Sequence, residues 1–266
     1  MPYADRQYYN RGFSSGGLLP PGVKWLLIVN TALFLLYFVA VQFDIALIEG
    51  IFQNLALIPA AVVKFLTLWQ LVTYMFLHDP RGFGHIIFNM LTLWMFGKDL
   101  ENAWGTRRFL KFYFICGIGA GICVVLMNYV FGTPYTRTIG ASGAIYGLLL
   151  AFGMTYPDTT VLYSFLFPMK AKYFVMIIGA VAFLSSLGAN NGVSNIAHLG
   201  GMLFGYLYLK SEKSRSTRVR QRAASAGSSN PFTTLRDRYK QWQVERARRK
   251  FQVYMRKHDP RGPFVN

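Results

Sequence analysis

Acidic side chains are scarce: 11 Asp and Glu stand against 28 Lys and Arg, and between Glu101 and Glu212 there is only Asp158. That argues against an acid-assisted catalytic triad assembled from this stretch. Cysteine is scarcer still. Cys116 and Cys123 lie seven residues apart in one apolar run. On a helix that is about 10 Å, too far for a disulfide, and both are expected to be reduced packing residues. Four His and two Cys show no ligating spacing on one helix, so neither a metal nor any other cofactor is expected. The inverted-repeat signal of a secondary transporter is missing too.

Apolar residues, by contrast, are abundant. With 53% hydrophobic and 17% aromatic side chains and several long uncharged runs, the 266 residues read as one polytopic, all-α membrane domain with soluble ends. Residues 1 to 23 are polar and punctuated by Gly and Pro, a disordered lead without the features of a cleavable signal. Residues 24 to 210 form the membrane domain, and 211 to 266 a basic tail. Six spans are expected: about Trp25 to Phe43, His85 to Trp104, Phe109 to Phe131, Ser142 to Tyr156, Lys172 to Leu187, and Asn195 to Leu209. The stretch from Asp44 to Gly84 is interrupted by Glu49, Gln53, Asn54, Pro59, Lys64, Gln70 and His78. It is expected as a set of interfacial helices, not a further span.

Charge placement sets the orientation. With the amino terminus inside, the inner segments hold 25 of the 28 Lys and Arg, leaving only Lys64, Arg81 and Arg137 outside. Both termini are therefore expected in the cytosol, in a membrane such as the bacterial plasma membrane. From the inner boundary, His85 is then 13 residues up, Ser142 is 15 and His198 is 12. At 1.5 Å per residue these heights are about 20, 22 and 18 Å, a single depth about 10 Å below the outer surface.

Ser142 stands where a polar loop runs into an apolar helix, in Gly140-Ala141-Ser142-Gly143. The flanking glycines leave the backbone open to close approach, and a helix start offers unpaired N–H groups to an anion. His198, Gly201 and Gly205 share a face of the last span, and Gly143 and Gly147 form a small-residue stripe on the serine helix. Such stripes let two helices touch backbone to backbone, which would bring His198 to Ser142. A neutral buried imidazole can then take the serine proton, making a dyad. Tyr146, one turn below Ser142, offers a surface to hold that ring. His85 and Asn89, at i and i+4, could donate with the Ser142 N–H to the oxyanion of a tetrahedral intermediate.

Together, His85-Ile86-Ile87-Phe88-Asn89-Met90, Gly140-Ala141-Ser142-Gly143 with Tyr146, and Ala197-His198-Leu199-Gly200-Gly201 with Gly205 resemble the rhomboid family of intramembrane serine proteases. The resemblance spans about residues 24 to 210. It implies a six-span bundle with Ser142 as nucleophile, His198 as general base, and His85, Asn89 and the Ser142 amide as the oxyanion site, with Gly140 also lining it. It further implies a membrane-embedded loop at residues 44 to 84, a fifth span that admits substrate helices laterally, and a structural turn at Trp104-Gly105-Thr106-Arg107. Asp79 to Gly84 is an insert longer than the family's usual loop. Expected substrates are transmembrane proteins. The alternative is a catalytically silent member that binds membrane clients.

The tail from Ser211 carries 15 Lys and Arg against 4 Asp and Glu. Ser225 to Asn230 reads as a linker and Leu235 to Lys257 as a helix with Val244, Ala247, Phe251 and Tyr254 on one stripe. A basic amphipathic helix beneath a bilayer is expected to lie on anionic headgroups; nucleic acid is not the expected partner.

Overall fold

A computed structural model describes residues 18–131, 133–163, 167–186, 192–226 and 231–257. They group into two compact units, Met1–Ser211 and Glu212–Asn266. The first is built on α1 (Pro21–Gln42), α5 (Gly84–Trp104), α6 (Thr106–Phe131), α7 (Ser142–Thr155), α8 (Ala171–Ser186) and the first part of α9 (Gly192–Ala226). Between α1 and α5 lie α2 (Ala46–Leu55), α3 (Pro59–Phe65) and α4 (Gln70–Thr73), the last running into a 3₁₀ turn at Tyr74–Phe76. The second unit holds the end of α9 and α10 (Pro231–Lys257).

Helices α1 and α6 are long and apolar enough to cross a membrane, and α7 and α8 are shorter apolar helices. Helix α6 is central, packing on α1, α3, α4, α5 and α7. Its Phe109, Phe112, Tyr113, Cys116 and Ala120 are fully buried in the main core. Helix α1 buries one stripe, Val23, Leu26, Asn30 and Phe34, at helical spacing. Its other faces expose Trp25, Ile28, Leu35 and Leu36, as suits a lipid-facing surface.

Several boundaries move from those expected. Helix α1 begins inside the presumed lead, because Pro21 is pre-set for the first helical position and lacks an N–H. The next two amides, Gly22 and Val23, each donate to the buried Glu101 carboxylate at 2.7 Å. The Thr106 hydroxyl donates to the same carboxylate at 2.6 Å. One acid on α5 therefore caps α1 and ties down the start of α6, where the family resemblance implied only a structural turn. Helix α9 does not stop near Leu209: it continues to Ala226, since the polar stretch after it has no Gly or Pro before that point. The segment between α7 and α8 holds an antiparallel strand pair, β1 (Thr160–Tyr163) with β2 (Phe167–Lys170), Val161 opposite Met169. It is a small departure from an all-α chain, favoured by β-branched and aromatic residues. Most of the lead (1–17), Leu187 at the end of the fifth expected span, and linker residues 227–230 lie outside the described residues.

The segment from residue 44 to 84 contains helices of 10, 7 and 4 residues, none long enough to span a 30 Å core. Several of its polar groups find partners within the segment: Gln70 Nε2 donates to the Asn54 carbonyl and Gln70 Oε1 accepts from the Ile58 amide, both at 3.0 Å. The Tyr74 hydroxyl donates to the Gly117 carbonyl of α6 at 2.7 Å. Leu47, Ile51, Phe65, Leu68 and Trp69 remain exposed on the same segment.

Candidate active site

Ser142 is the first residue of α7, so its N–H has no acceptor within the helix. At 14 residues α7 is about 21 Å long, shorter than a 30 Å hydrocarbon core. The chain leading into it is pinned twice. Leu57 and Thr138 exchange backbone hydrogen bonds of 3.0 and 2.9 Å, and the Gly140 amide donates to the Tyr74 carbonyl at 2.9 Å.

Helices α7 and α9 meet through their glycines. A methyl added at Gly201 would stand 1.8 Å from the Gly143 carbonyl oxygen, and one at Gly147 would stand 3.0 Å from the Gly201 carbonyl and 2.5 Å from Cys116 Sγ. No other residue type permits this approach without separating the two backbones. The contact sets His198 Nε2 2.9 Å from Ser142 Oγ. Tyr146 stacks on the same imidazole, ring centroids 3.9 Å apart and planes within 2°. If Nε2 accepts the serine hydrogen, the ring proton sits on Nδ1, which is buried and has no hydrogen-bond partner among the described residues.

His85 stands across from this pair. Gly140 has φ of 126°, a backbone strained for any side chain, and a methyl there would come within 3.0 Å of His85 Nε2 and 3.8 Å of Ser142 Oγ. The imidazole edge thus faces bare backbone next to the serine. His85 Nδ1 accepts a long hydrogen bond of 3.4 Å from the Asp79 amide, the tautomer that leaves Nε2 as donor. Asn89 lines the same cavity, but one of its amide hydrogens goes to the His85 carbonyl at 2.9 Å, leaving one for any other acceptor.

His85, Asn89, Ser142, Tyr146 and His198 all line one cavity of about 1250 Å³. Leu77, Phe52 and Tyr37 form an apolar wall, and Gln53, Asp79, Arg81, Thr136 and Arg137 also border it. The Arg81 guanidinium, hydrogen-bonded to Asp79, holds that carboxyl below the usual carboxylate range. Two contributors were not singled out from the sequence. Tyr74 reaches both the Gly140 amide, through its carbonyl, and α6, and His78 is fully buried with its ring 5.0 Å from His85. Both sit in the apolar loop segment, where only tertiary contacts distinguish them from packing residues.

A family model described as the Rhomboid domain matches residues 66–211, more than half the chain. Among curated proteins, "Rhomboid protease GluP" of Bacillus subtilis (strain 168) is 37% identical over 144 residues, 52% of this chain and 25% of that one. "Rhomboid-like protease 5" of Toxoplasma gondii is 33% identical over 148 residues, 53% of this chain and 16% of that one. "RHOMBOID-like protein 4" of Arabidopsis thaliana is 33% identical over 139 residues, 52% and 32% respectively. The matched stretch spans between 16% and 64% of the length of the first curated relatives. The matched residues enclose His85, Ser142 and His198, and on this footing the chain belongs to the rhomboid family of integral membrane proteins.

Proposed function

We propose that this protein is an intramembrane serine endopeptidase that hydrolyses a peptide bond in or near a transmembrane helix of its substrate. The observation that carries the reading is the 2.9 Å approach of His198 Nε2 to Ser142 Oγ, with Tyr146 lying parallel against the imidazole. In the first step Ser142 Oγ attacks the scissile carbonyl while His198 takes the hydroxyl proton. The oxyanion then accepts from the Ser142 N–H, His85 Nε2 and the remaining Asn89 amide hydrogen, over the bare backbone at Gly140. A single such donor is worth about 10²–10³ in rate. Collapse of the intermediate passes the proton from His198 to the leaving amine, and a water entering the cavity hydrolyses the acyl-serine by the same sequence.

Access follows from the same arrangement. A helical substrate must loosen before its carbonyl is exposed, and a loop at residues 44 to 84 together with a movable α8 would let it enter from the side. The six-span arrangement with both termini cytosolic, the division into a lead, a membrane domain and a tail, and residence in a bacterial plasma membrane belong to this reading. Of these, the orientation is supported by the asymmetry of Lys and Arg. For the tail we propose an anionic lipid surface. On α10, Tyr239, Trp242, Val244 and Phe251 are exposed, Tyr239 stacks on Trp242 at 5.9 Å, and the Arg246 guanidinium lies 5.1 Å from the Trp242 ring. Aromatic and basic groups side by side on a helix suit an interface between water and headgroups.

The test is cleavage of a single-span substrate by purified protein in detergent, with fluorophosphonate labelling of the serine. Ser142→Ala and His198→Ala are expected to abolish both while leaving the protein folded. Cleavage by Ser142→Ala at the wild-type rate would refute the enzyme reading and leave a client-binding rhomboid protein.

A further inference from the structure

The cavity that holds Ser142 also carries unbalanced charge. Arg81 is matched by Asp79, with Nε 3.0 Å from Oδ1 and Nη2 3.2 Å from Oδ2. Arg137 is not matched. Its guanidinium is exposed on the cavity border and donates to a neutral partner, Gln53 Oε1, at 3.3 Å. Among the described residues it forms no ion pair. The border therefore has one net positive charge, on a planar fork built to take a carboxylate in two hydrogen bonds.

Arg137 is also well placed relative to the bond that would be cut. It stands five positions before Ser142, and the intervening backbone is fixed by the Leu57–Thr138 pair and the Gly140–Tyr74 bond. A fully extended chain of that length covers about 17 Å at most. A substrate passing Ser142 in extended form thus brings one or two of its next five or so side chains within reach of the guanidinium. An amide such as Gln53 is readily displaced from Arg by a carboxylate, because the charged acceptor binds about twice as strongly.

Building on the protease reading, we infer that Arg137 is a specificity residue that selects substrates with an Asp or Glu within about five residues of the scissile bond, on the flank that leaves the membrane at this face. The charge acts at a wet border, so it speeds productive encounter more than it tightens the bound state, and salt screens it.

The experiment scans Asp, Asn and Lys through each of those five positions of a single-span substrate. Cleavage by the full chain is followed in detergent at low and high NaCl, with fluorophosphonate labelling run in parallel. Wild type is expected to favour Asp over Asn about three- to fivefold at one or two positions, the size of an exposed ion pair. The preference should fade as salt rises. Arg137→Gln should flatten it, and Arg137→Glu should turn it toward Lys. Each readout is a ratio within one variant, so a general loss of rate cancels. Retention of the Asp preference by Arg137→Glu, or labelling with charge-blind cleavage in wild type, overturns this inference alone. Failure of the wild type both to label and to cleave removes the protease reading, and this inference with it.

Discussion

Gly201→Ala tests the idea that bare backbone contact between α7 and α9 sets the serine–imidazole distance. The added methyl would sit 1.8 Å from the Gly143 carbonyl oxygen, whereas ordinary contact begins at about 3.4 Å. The obstacle is main chain in the first turn of α7, which cannot rotate away as a side chain would. The helices must therefore part by about 1.6 Å at this level. Ser142 lies one residue from Gly143, and His198 lies one turn from Gly201. Passing on even half the movement stretches the 2.9 Å contact beyond about 3.5 Å, where a hydrogen bond no longer forms. A misplacement near 1 Å costs about 10²-fold in rate, and overpacking costs about 1–3 kcal/mol of stability. Gly205→Ala is the control: its nearest neighbours are the Phe112 ring at 3.2 Å and Cys116 Sγ at 3.3 Å, with the closest backbone atom at 3.5 Å. Cleavage of a fluorogenic single-span substrate, serine labelling and a thermal melt should show a large loss for Gly201→Ala and a small one for Gly205→Ala. Wild-type cleavage by Gly201→Ala, or equal losses in the two variants, would refute the reasoning.

Two further predictions concern positioning and stability. Tyr146→Phe keeps the ring against His198 and should retain activity within about threefold, whereas Tyr146→Ala frees the imidazole and should lose about tenfold or more in kcat. Equal rates for the two would show that stacking does not orient the base. Glu101→Ala strands the Gly22 and Val23 amides in a buried place and should lower stability by about 2–5 kcal/mol, read as an earlier melt in detergent. Serine labelling at low temperature should persist in that variant, since Glu101 contacts none of the groups around Ser142.

The apolar helices were legible because hydropathy and local end signals agree. The starts of α5 and α7 fall within a residue of those expected, and the glycine stripes foretold that α7 and α9 touch. What escaped is non-local or hidden by a shift in composition. Glu101 looks like the solvated inner end of a helix until α1 is seen resting its first amides on it. Helix α9 passes Leu209 because hydropathy marks where lipid ends, while backbone propensity marks where a helix ends, and the two need not coincide. The β1–β2 pair has a readable signal in Thr160-Val161-Leu162-Tyr163, a short β-branched and aromatic run that charge placement does not reveal. The i, i+4 relation of Asn89 to His85 suggests an oxyanion donor. That same relation lets one amide hydrogen return to the His85 carbonyl, a competition that spacing alone does not reveal.

A carboxylate holding the far nitrogen of the base is one way to orient an imidazole; this site uses another. Ser142 and Tyr146 are four residues apart on α7, so helix geometry alone puts the hydroxyl and the ring on one face, one turn apart. Docking α9 through Gly201 then brings His198 against both at once, its edge toward Ser142 and its plane on Tyr146. The aromatic plane fixes tilt, the serine fixes rotation within that plane, and the glycine contact fixes distance. Orientation is thereby a property of one helix interface, achieved without placing a charge where desolvation would penalise it most. On the proposed mechanism, substitutions in the interface should mimic loss of His198 more closely than substitutions at His85 or Asn89, which line the cavity and leave the α7–α9 contact intact.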